Sequence, residues 1–189
     1  MGVIDVIKSR RTKRKFLRRQ VSRELLNELI ECARFAPPGA NLQPLKYIII
    51  DEEEKVSKVF GFTKWSGYHP ENAPTEEEMP PVFIGMLGDK KIKPNGAFET
   101  DAGAAGTVIQ LAAEELGLSS CWLGAIERKN ISEFLNLPEN LELLYLIAIG
   151  YSEQKGRTVL ADGDIKYYTD EENVLTVPKR GLGEILINI

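Results

Sequence analysis

"LELLYLIAIGY", residues 141–151, carries one charge, Glu142, among eleven residues. A run this short and this apolar, with β-branched Ile147 and Ile149, reads as a strand covered on both faces. Such a strand needs further strands beside it and helices above and below. "LKYIII" (45–50) and "VFIGML" (82–87) are runs of the same kind, and "SSCWLGAI" (119–126) reads as extended. Between them, Ser22 offers an N-cap to a helix in which Leu25, Leu26, Leu29, Ile30, Ala33 and Ala36 recur at helical spacing until Pro37-Pro38-Gly39. "ETDAGAAGTVIQLAAEELG" (99–117) is small and apolar on nearly every side, as a buried central helix closed by Gly117 must be. A short helix over 2–9 puts Val3, Ile4 and Ile7 on one face, and Asn130 with Glu133 forms a capping-box pattern for another ending at Pro138. Helices and strands alternate without a regular βαβ rhythm. The expected fold is therefore α+β, a central sheet covered by helices, in a single domain spanning 1–189.

Two segments carry no regular pattern. Residues 61–81, "GFTKWSGYHPENAPTEEEMPP", hold four prolines and a run of glutamates and read as a long irregular loop of the kind that forms lids. From 152 the tail is polar, with a turn at Asp162-Gly163. The 189 residues are 43% hydrophobic and 28% charged with a net charge of -4, ordinary for a soluble domain. No apolar run approaches the roughly 18–20 residues that span a bilayer, and "MGVIDVIKSRR" lacks the order of a signal peptide. A cytoplasmic protein with no membrane partner is expected. Cys32 and Cys121 lie in apolar surroundings and are expected to be buried and reduced; with one histidine, His69, no metal site is expected. Neither "DAGAAG" (101–106) nor "GLGEI" (181–185) matches a dinucleotide or P-loop fingerprint, and the carboxylates fall in solvated runs such as "DEEEK" and "TEEEM".

Against the acidic background stands "RRTKRKFLRR" (10–19), which holds seven of the chain's 24 basic residues and leaves 17 against 28 acidic elsewhere. It suits a nucleic-acid or localisation patch, an inert solvated run, or a socket for one phosphate. Nucleic acid calls for a basic domain and aromatic platforms, and here the domain is acidic with Phe16 the stretch's one aromatic, so no nucleic-acid partner is expected. Several guanidinium groups at short spacing can converge on a dianion through charge-assisted bonds.

"SRRTKRKF" (9–16) resembles the R-R-S-x-R-x-F opening of the nitroreductase family of flavoproteins. "APPGANLQPL" (36–45) is similar to the family's A-P-S-G-x-N-x-Q-P-W, "GLSSCWLGAI" (117–126) to its G-L-x-S-C-W-I-G, and "VPKRGLGEIL" (177–186) to its basic C-terminal motif before P-L-E-E. The four lie in family order. The resemblance implies an α+β nitroreductase fold, dimeric with exchanged C-terminal segments, and FMN as cofactor with NADH or NADPH as co-substrate. It places Arg10, Arg11, Thr12 and Arg14 on the phosphate and part of the ring, with Lys179 or Arg180 completing the phosphate site. Pro38, Gly39, Ala40, Asn41 and Gln43 would line the isoalloxazine edge, where Asn41 and Gln43 offer donors and acceptors. Leu123 and Gly124 would pack against the ring, Gly124 permitting close backbone approach, while Trp122 fits a plain core position equally. Lys13, Lys15, Arg18 and Arg19 have no counterpart and are expected to be solvated.

The implied activity is hydride transfer from NAD(P)H through FMN to a small electron-poor acceptor, a nitroaromatic or quinone, by a ping-pong sequence with no catalytic side-chain acid or base. Reductive dehalogenation, flavin breakdown, and a non-enzymatic flavin-binding sensor are the alternatives. The sequence departs from the family at Pro38 (for Ser), Leu45 (for Trp) and Gly181 and Gly183 within P-L-E-E, and it is short between 37 and 81. There "FTKWSGY" would stand in for the covering helices, with Trp65 and Tyr68 available to stack on a planar substrate. The apolar end, "GEILINI" (183–189), is expected to be buried against a second chain of a homodimer.

Overall fold

The structure is a computed structural model and describes residues 2–187. In chain order it contains α1 (Val3–Ser9), α2 (Arg23–Arg34), β1 (Leu45–Ile50), α3 (Glu53–Phe60), β2 (Val82–Asp89), α4 (Glu99–Glu115), β3 (Ser119–Leu123), α5 (Arg128–Phe134), β4 (Leu141–Gly150), β5 (Gly156–Leu160), β6 (Tyr168–Thr169), β7 (Leu175–Lys179) and α6 (Leu182–Ile185). Three single 3-10 turns, at 39–41, 70–72 and 76–78, punctuate the loops.

The four apolar strands form one antiparallel sheet in the order β1-β2-β4-β3. β2 and β4 are central, which is why they are apolar on both faces. Their register pairs Val82 with Ile149 and Gly85 with Leu146, then slips between Met86 and Leu87, so that Leu144 opposes no residue. Side chains alternate across the sheet. Ile84, Met86, Ile147 and Ile149 meet Leu26, Leu29 and Ala33 of α2 and Ala102, Ile109 and Ala113 of α4, while Phe83, Leu143 and Leu146 meet Val56 and Val59 of α3 and Ile131 of α5. The fold is thus α+β, with helices on both faces of an antiparallel sheet.

Sequence expectations for the main elements hold. Ser22 caps α2, its Oγ accepting the Leu25 N–H at 3.4 Å. α4 is the buried central helix. A Cβ at Gly106 would fall inside the Trp122 ring, so this glycine lets β3 lie close on α4. Gly117, at φ 72°, closes the helix as a left-handed residue.

α1 is the expected short helix with Val3, Ile4 and Ile7 on one face, whereas the capping pattern at Asn130 and the featureless tail are corrected. α1 buries Val6, whereas Val3, Ile4 and Ile7 are 68%, 63% and 53% exposed; the helix lies on the end of α4, where Ser9 Oγ donates to Glu114 Oε1 at 2.9 Å, so its apolar trio faces outward. α5 begins at Arg128, so Asn130 lies inside it and donates to Glu127 Oε2 instead of capping. The acidic stretch after 51 is a helix, α3, and the polar tail builds a second sheet, β5-β7-β6, with β5 and β7 parallel. Among the described residues no helix is long and apolar enough to cross a membrane.

Candidate functional site

The basic stretch leaves α1 and runs beside the edge strand β3. Thr12 bridges Ser120 in parallel, and the Lys13 N–H donates to the Ser120 carbonyl at 3.0 Å. Buried Phe16 anchors it, with its N–H on the Glu78 carbonyl. Its charges then separate into two groups. Lys15 pairs with Glu78 at 3.0 Å and Arg18 with Glu53 at 2.6 Å, and the Arg19 guanidinium lies 3.9 Å from the Tyr151 ring centroid. Lys13 is half-buried, with Nζ on the Gln154 carbonyl; burial pushes its pKa down, with Glu114 opposing. Solvation was expected for all four: Arg18 and Arg19 are exposed as expected, though each also has a protein partner, and the half-buried Lys13 is the clearest departure.

Arg10, Arg11 and Arg14 form no ion pair among the described residues. Arg11 donates from Nη1 to the Arg10 carbonyl at 2.6 Å, but its Nε is buried with no acceptor. Burial, followed by the charge of Arg10, pushes the Arg11 pKa down, with Glu114 opposing. The Arg14 N–H donates to Gln154 Oε1 at 2.9 Å, and its guanidinium lies 4.5 Å from the Tyr167 centroid. Arg11 and Lys13 flank Gly156 at the start of β5, whereas Arg10 and Arg14 are the charges felt by the buried Cys121 thiol, which burial pushes up to about 12. Cations that form no ion pair, one with an unused buried donor, make a site suited to an anion.

The second segment is the loop over 38–43. Ala40, Asn41 and Gln43 all have left-handed backbone, at φ 49°, 54° and 53°, a conformation that costs non-glycine residues of order 1 kcal/mol or more each. Asp101 of α4 holds it. This aspartate is 3% exposed, accepts the Gly39 N–H on Oδ1 at 2.8 Å and pairs with Lys93 Nζ through Oδ2 at 2.9 Å. Burial raises its pKa, but the Gly39 N–H and then the Lys93 ammonium outweigh it and hold the carboxyl below the usual range. The Asn41 and Gln43 side chains are exposed, and Gln43 Nε2 donates to the Asn41 carbonyl at 3.3 Å. Beside them opens a cavity of about 400 Å3 between α2, β1 and α4, lined by Pro38, Gln43, Leu45, Tyr47, Asp101 and Ala105. Burial alone pushes the Tyr47 phenol up to about 12.

Leu123 is buried and Gly124 exposed at the end of β3; a Cβ at Gly124 would meet only Tyr145, at 3.7 Å or more, leaving room for a planar group to approach. Trp122 packs on Gly106 and edge-on to Tyr145 at 5.0 Å, a core position.

Within one chain these pieces do not all meet. Glu114, beside Arg11 and Lys13, and Asp101, beside Gly39, are thirteen residues apart on α4, about 20 Å along its axis. Lys179 pairs with Leu160 at the far end of β5 from Gly156, about 13 Å from the end that touches Arg11. Arg180 Nε lies 3.9 Å from Glu184. Trp65 is half-buried against Phe60 at 5.8 Å, with Nε1 donating to Thr63 Oγ1 at 2.7 Å, while Tyr68 is 56% exposed and stacks at 5.3 Å on Tyr167. Asp101, Lys93, Gln154 and Tyr167 escaped sequence reasoning: Asp101, Gln154 and Tyr167 each act on a segment distant in sequence, Lys93 acts through Asp101, and no motif gives any of them a role. A larger cleft, about 1320 Å3, lies elsewhere, between α3 and the 76–78 turn; Glu53, Glu54, Glu76, Glu77 and Glu78 line it and disfavour a phosphate.

Comparison with known proteins agrees with this geometry. The family model described as "Nitroreductase family" matches residues 7–84 and 77–151. An NADH dehydrogenase/NAD(P)H nitroreductase assigned in Archaeoglobus fulgidus is 30% identical over 161 residues, 80% of this chain and 86% of that protein. Its counterpart assigned in Methanothermobacter thermautotrophicus is 29% identical, over 87% and 85%. The solved FMN-dependent nitroreductase of Clostridium difficile R20291 superposes with a TM-score of 0.70 at 28% identity, covering 86% of this chain and 94% of that one. With the sheet, the basic stretch along its edge strand and the anchored 38–43 loop all in place, the chain belongs to the nitroreductase family.

Proposed function

We propose that the chain is an FMN-dependent oxidoreductase that draws on NADH or NADPH and reduces small electron-poor acceptors such as nitroaromatics or quinones. One observation carries this: Arg10, Arg11 and Arg14 lie along β3 with no ion pair among the described residues, and Arg11 keeps a buried Nε donor with no acceptor. An arginine left this way favours an anion by supplying a charge-assisted bond that water cannot fully replace. FMN fits these residues, and a solved relative at 28% identity is described as FMN-dependent.

Arg10, Arg11, Thr12 and Arg14 would hold the phosphate and the near part of the ring. Leu123 and Gly124 would bound the ring at the end of β3, and Pro38, Gly39, Ala40, Asn41 and Gln43 would meet its polar edge. When bound, FMN supplies the relay of a hydride from NAD(P)H to the acceptor. The protein's part would be to orient, to keep one face open and to neutralise negative charge through Arg14; no side chain is assigned as an acid or base, and protons would come from solvent. Tyr68, exposed beside Tyr167, would stack on planar substrates, with Trp65 supporting the loop beneath it.

We further propose one domain over 1–189, acting as a cytoplasmic homodimer whose C-terminal segments cross to the partner. Two observations support the dimer. About 20 Å of α4 separates the residues that anchor the basic stretch and the 38–43 loop, a spacing that favours their meeting one flavin from different subunits. Leu182, Ile185, Leu186 and Ile187 are 57–82% exposed in a single chain, as is the outer face of α1, and a second subunit would cover them. Asn188 and Ile189, the end of that apolar segment, lie outside the described residues. Lys179 or Arg180 would reach the phosphate through the same assembly.

The visible spectrum of the purified protein, followed by heat release and chromatography of the chromophore, tests the cofactor. FMN bands are expected. A protein that stays colourless after incubation with FMN refutes the proposal. Initial rates with menadione or nitrofurazone should give parallel double-reciprocal lines against NAD(P)H, and intersecting lines would refute the ping-pong sequence. Light scattering should return twice the chain mass.

A further inference from the structure

Arg14 is held at both ends. Its backbone N–H is fixed by Gln154 Oε1 at 2.9 Å, and its guanidinium carbon lies 4.5 Å from the centroid of Tyr167. The partner's chemistry matters. A carboxylate would occupy the N–H edge of the guanidinium, the edge that recognises anions, whereas an aromatic ring occupies its flat face and leaves the five donors free. Lys15 and Arg18, by contrast, are spent on glutamates, and of the other cations in the stretch Arg19, over the Tyr151 ring at 3.9 Å, is the one that also meets an aromatic face.

The ring itself is firmly placed. Tyr167 immediately precedes β6, which pairs with β7, and follows a tight turn in which Asp162 and Asp164 bridge and Asp164 Oδ1 accepts the Lys166 N–H at 3.0 Å. On the other side Asp170 accepts N–H groups from Glu172 and Val174 and pairs with Arg157 at 2.7 Å. Tyr68 and His69, from the irregular 61–81 loop, pack on Tyr167 at 5.3 and 5.9 Å. Three segments remote in sequence, residues 14, 68–69 and 167, thus converge on one ring.

We propose that Tyr167 is a positioning residue for the cofactor site: it presents the Arg14 guanidinium face-on to its ring and edge-on to a bound anion, and ties the 61–81 loop to that site. The inference rests on the reading that Arg14 contributes to an FMN site. It assigns a role to the polar tail that no motif marks. It also gives the loop a fixed neighbour where the family's covering helices are expected to be missing.

The test is FMN affinity, read from quenching of flavin fluorescence on titration into the apoprotein, for Arg14→Ala, Tyr167→Phe, Tyr167→Leu and the double variant Arg14→Ala/Tyr167→Leu. Phenylalanine keeps the ring, and leucine keeps apolar volume without it. Tyr167→Phe should bind as wild type, and Tyr167→Leu should raise Kd about three- to tenfold, the span of a cation–π contact. The double variant should be no weaker than Arg14→Ala alone, because the ring acts only through that arginine. Equal affinities for the Phe and Leu variants, or additive losses in the double variant, overturn the role of Tyr167 and leave the FMN site intact. A wild-type apoprotein that does not quench FMN overturns both.

Discussion

Asp101→Asn probes the junction between fold and site. The wild-type carboxylate is 3% exposed and divides its oxygens between the Gly39 N–H at 2.8 Å and Lys93 Nζ at 2.9 Å. Asparagine keeps the volume and one acceptor. It cannot satisfy both donors, and its amide hydrogens would face an ammonium that is 18% exposed. Losing one charge-assisted bond costs about 1.5–3 kcal/mol, and a mostly buried unpaired Lys93 adds to it, less a part recovered by rotation towards solvent. A loss of about 2–3 kcal/mol lowers Tm by roughly 4–12 °C for a chain of this length. Because Gly39 begins the left-handed loop, FMN affinity should fall as well. Lys93→Met added to Asp101→Asn removes both charges and should restore part of the stability. The pH dependence follows from the depressed pKa of Asp101. Its contribution is fully present above the ordinary aspartate value of about 3.9 and is lost as pH falls through the lower folded value, so the two Tm curves should run parallel from pH 7 to 5 and converge only in stronger acid. Thermal unfolding followed by circular dichroism, with FMN titration, reads all of this. A variant within 1 °C of wild type at pH 7 and with unchanged FMN affinity would refute the anchoring role.

Arg10→Ala and Arg180→Ala should each weaken FMN binding about tenfold or more and make retention more sensitive to salt, by removing a charge-assisted bond; unchanged retention on a gel-filtration column at high salt would exclude that arginine from the site. Gly106→Ala should destabilise by about 1–3 kcal/mol, since the new methyl falls inside the Trp122 ring, and should alter the near-ultraviolet dichroism of that indole; an unaltered spectrum and Tm would contradict the packing. In the native protein a thiol-specific chromogenic reagent at pH 8 should leave Cys121 unreacted, because it is 2% exposed and burial keeps it protonated, whereas full unfolding should expose both thiols; rapid reaction of two thiols per native chain would show that β3 opens.

The central sheet was legible because burial on both faces leaves an unmistakable trace: β4 and β2 are almost wholly apolar, and α4 had to be small wherever it meets Trp122. α3 left a fainter one. Only Val56 and Val59 are buried among its eight residues, and its acidic first turn makes it resemble a solvated charge run. β5 to β7 escaped for a related reason, since a half-exposed sheet of short strands needs few apolar residues and mixes parallel with antiparallel pairing. At the site, the arginines and the 38–43 loop stand in local motifs and could be singled out, but their supports could not. Asp101 acts across 62 positions and Gln154 across 140, distances over which only the folded chain carries information. α1 shows a further limit, a helix whose apolar face is legible but not what covers it, because periodicity reports only that a face is apolar.

The span of α4 between its two anchor points has a thermodynamic corollary. A small molecule clasped at both points by different copies would bind the associated form and not the separated chains, so occupancy and association become linked equilibria. Diluting the holoprotein would then release the chromophore, and adding the chromophore would drive chains together at concentrations where they otherwise part.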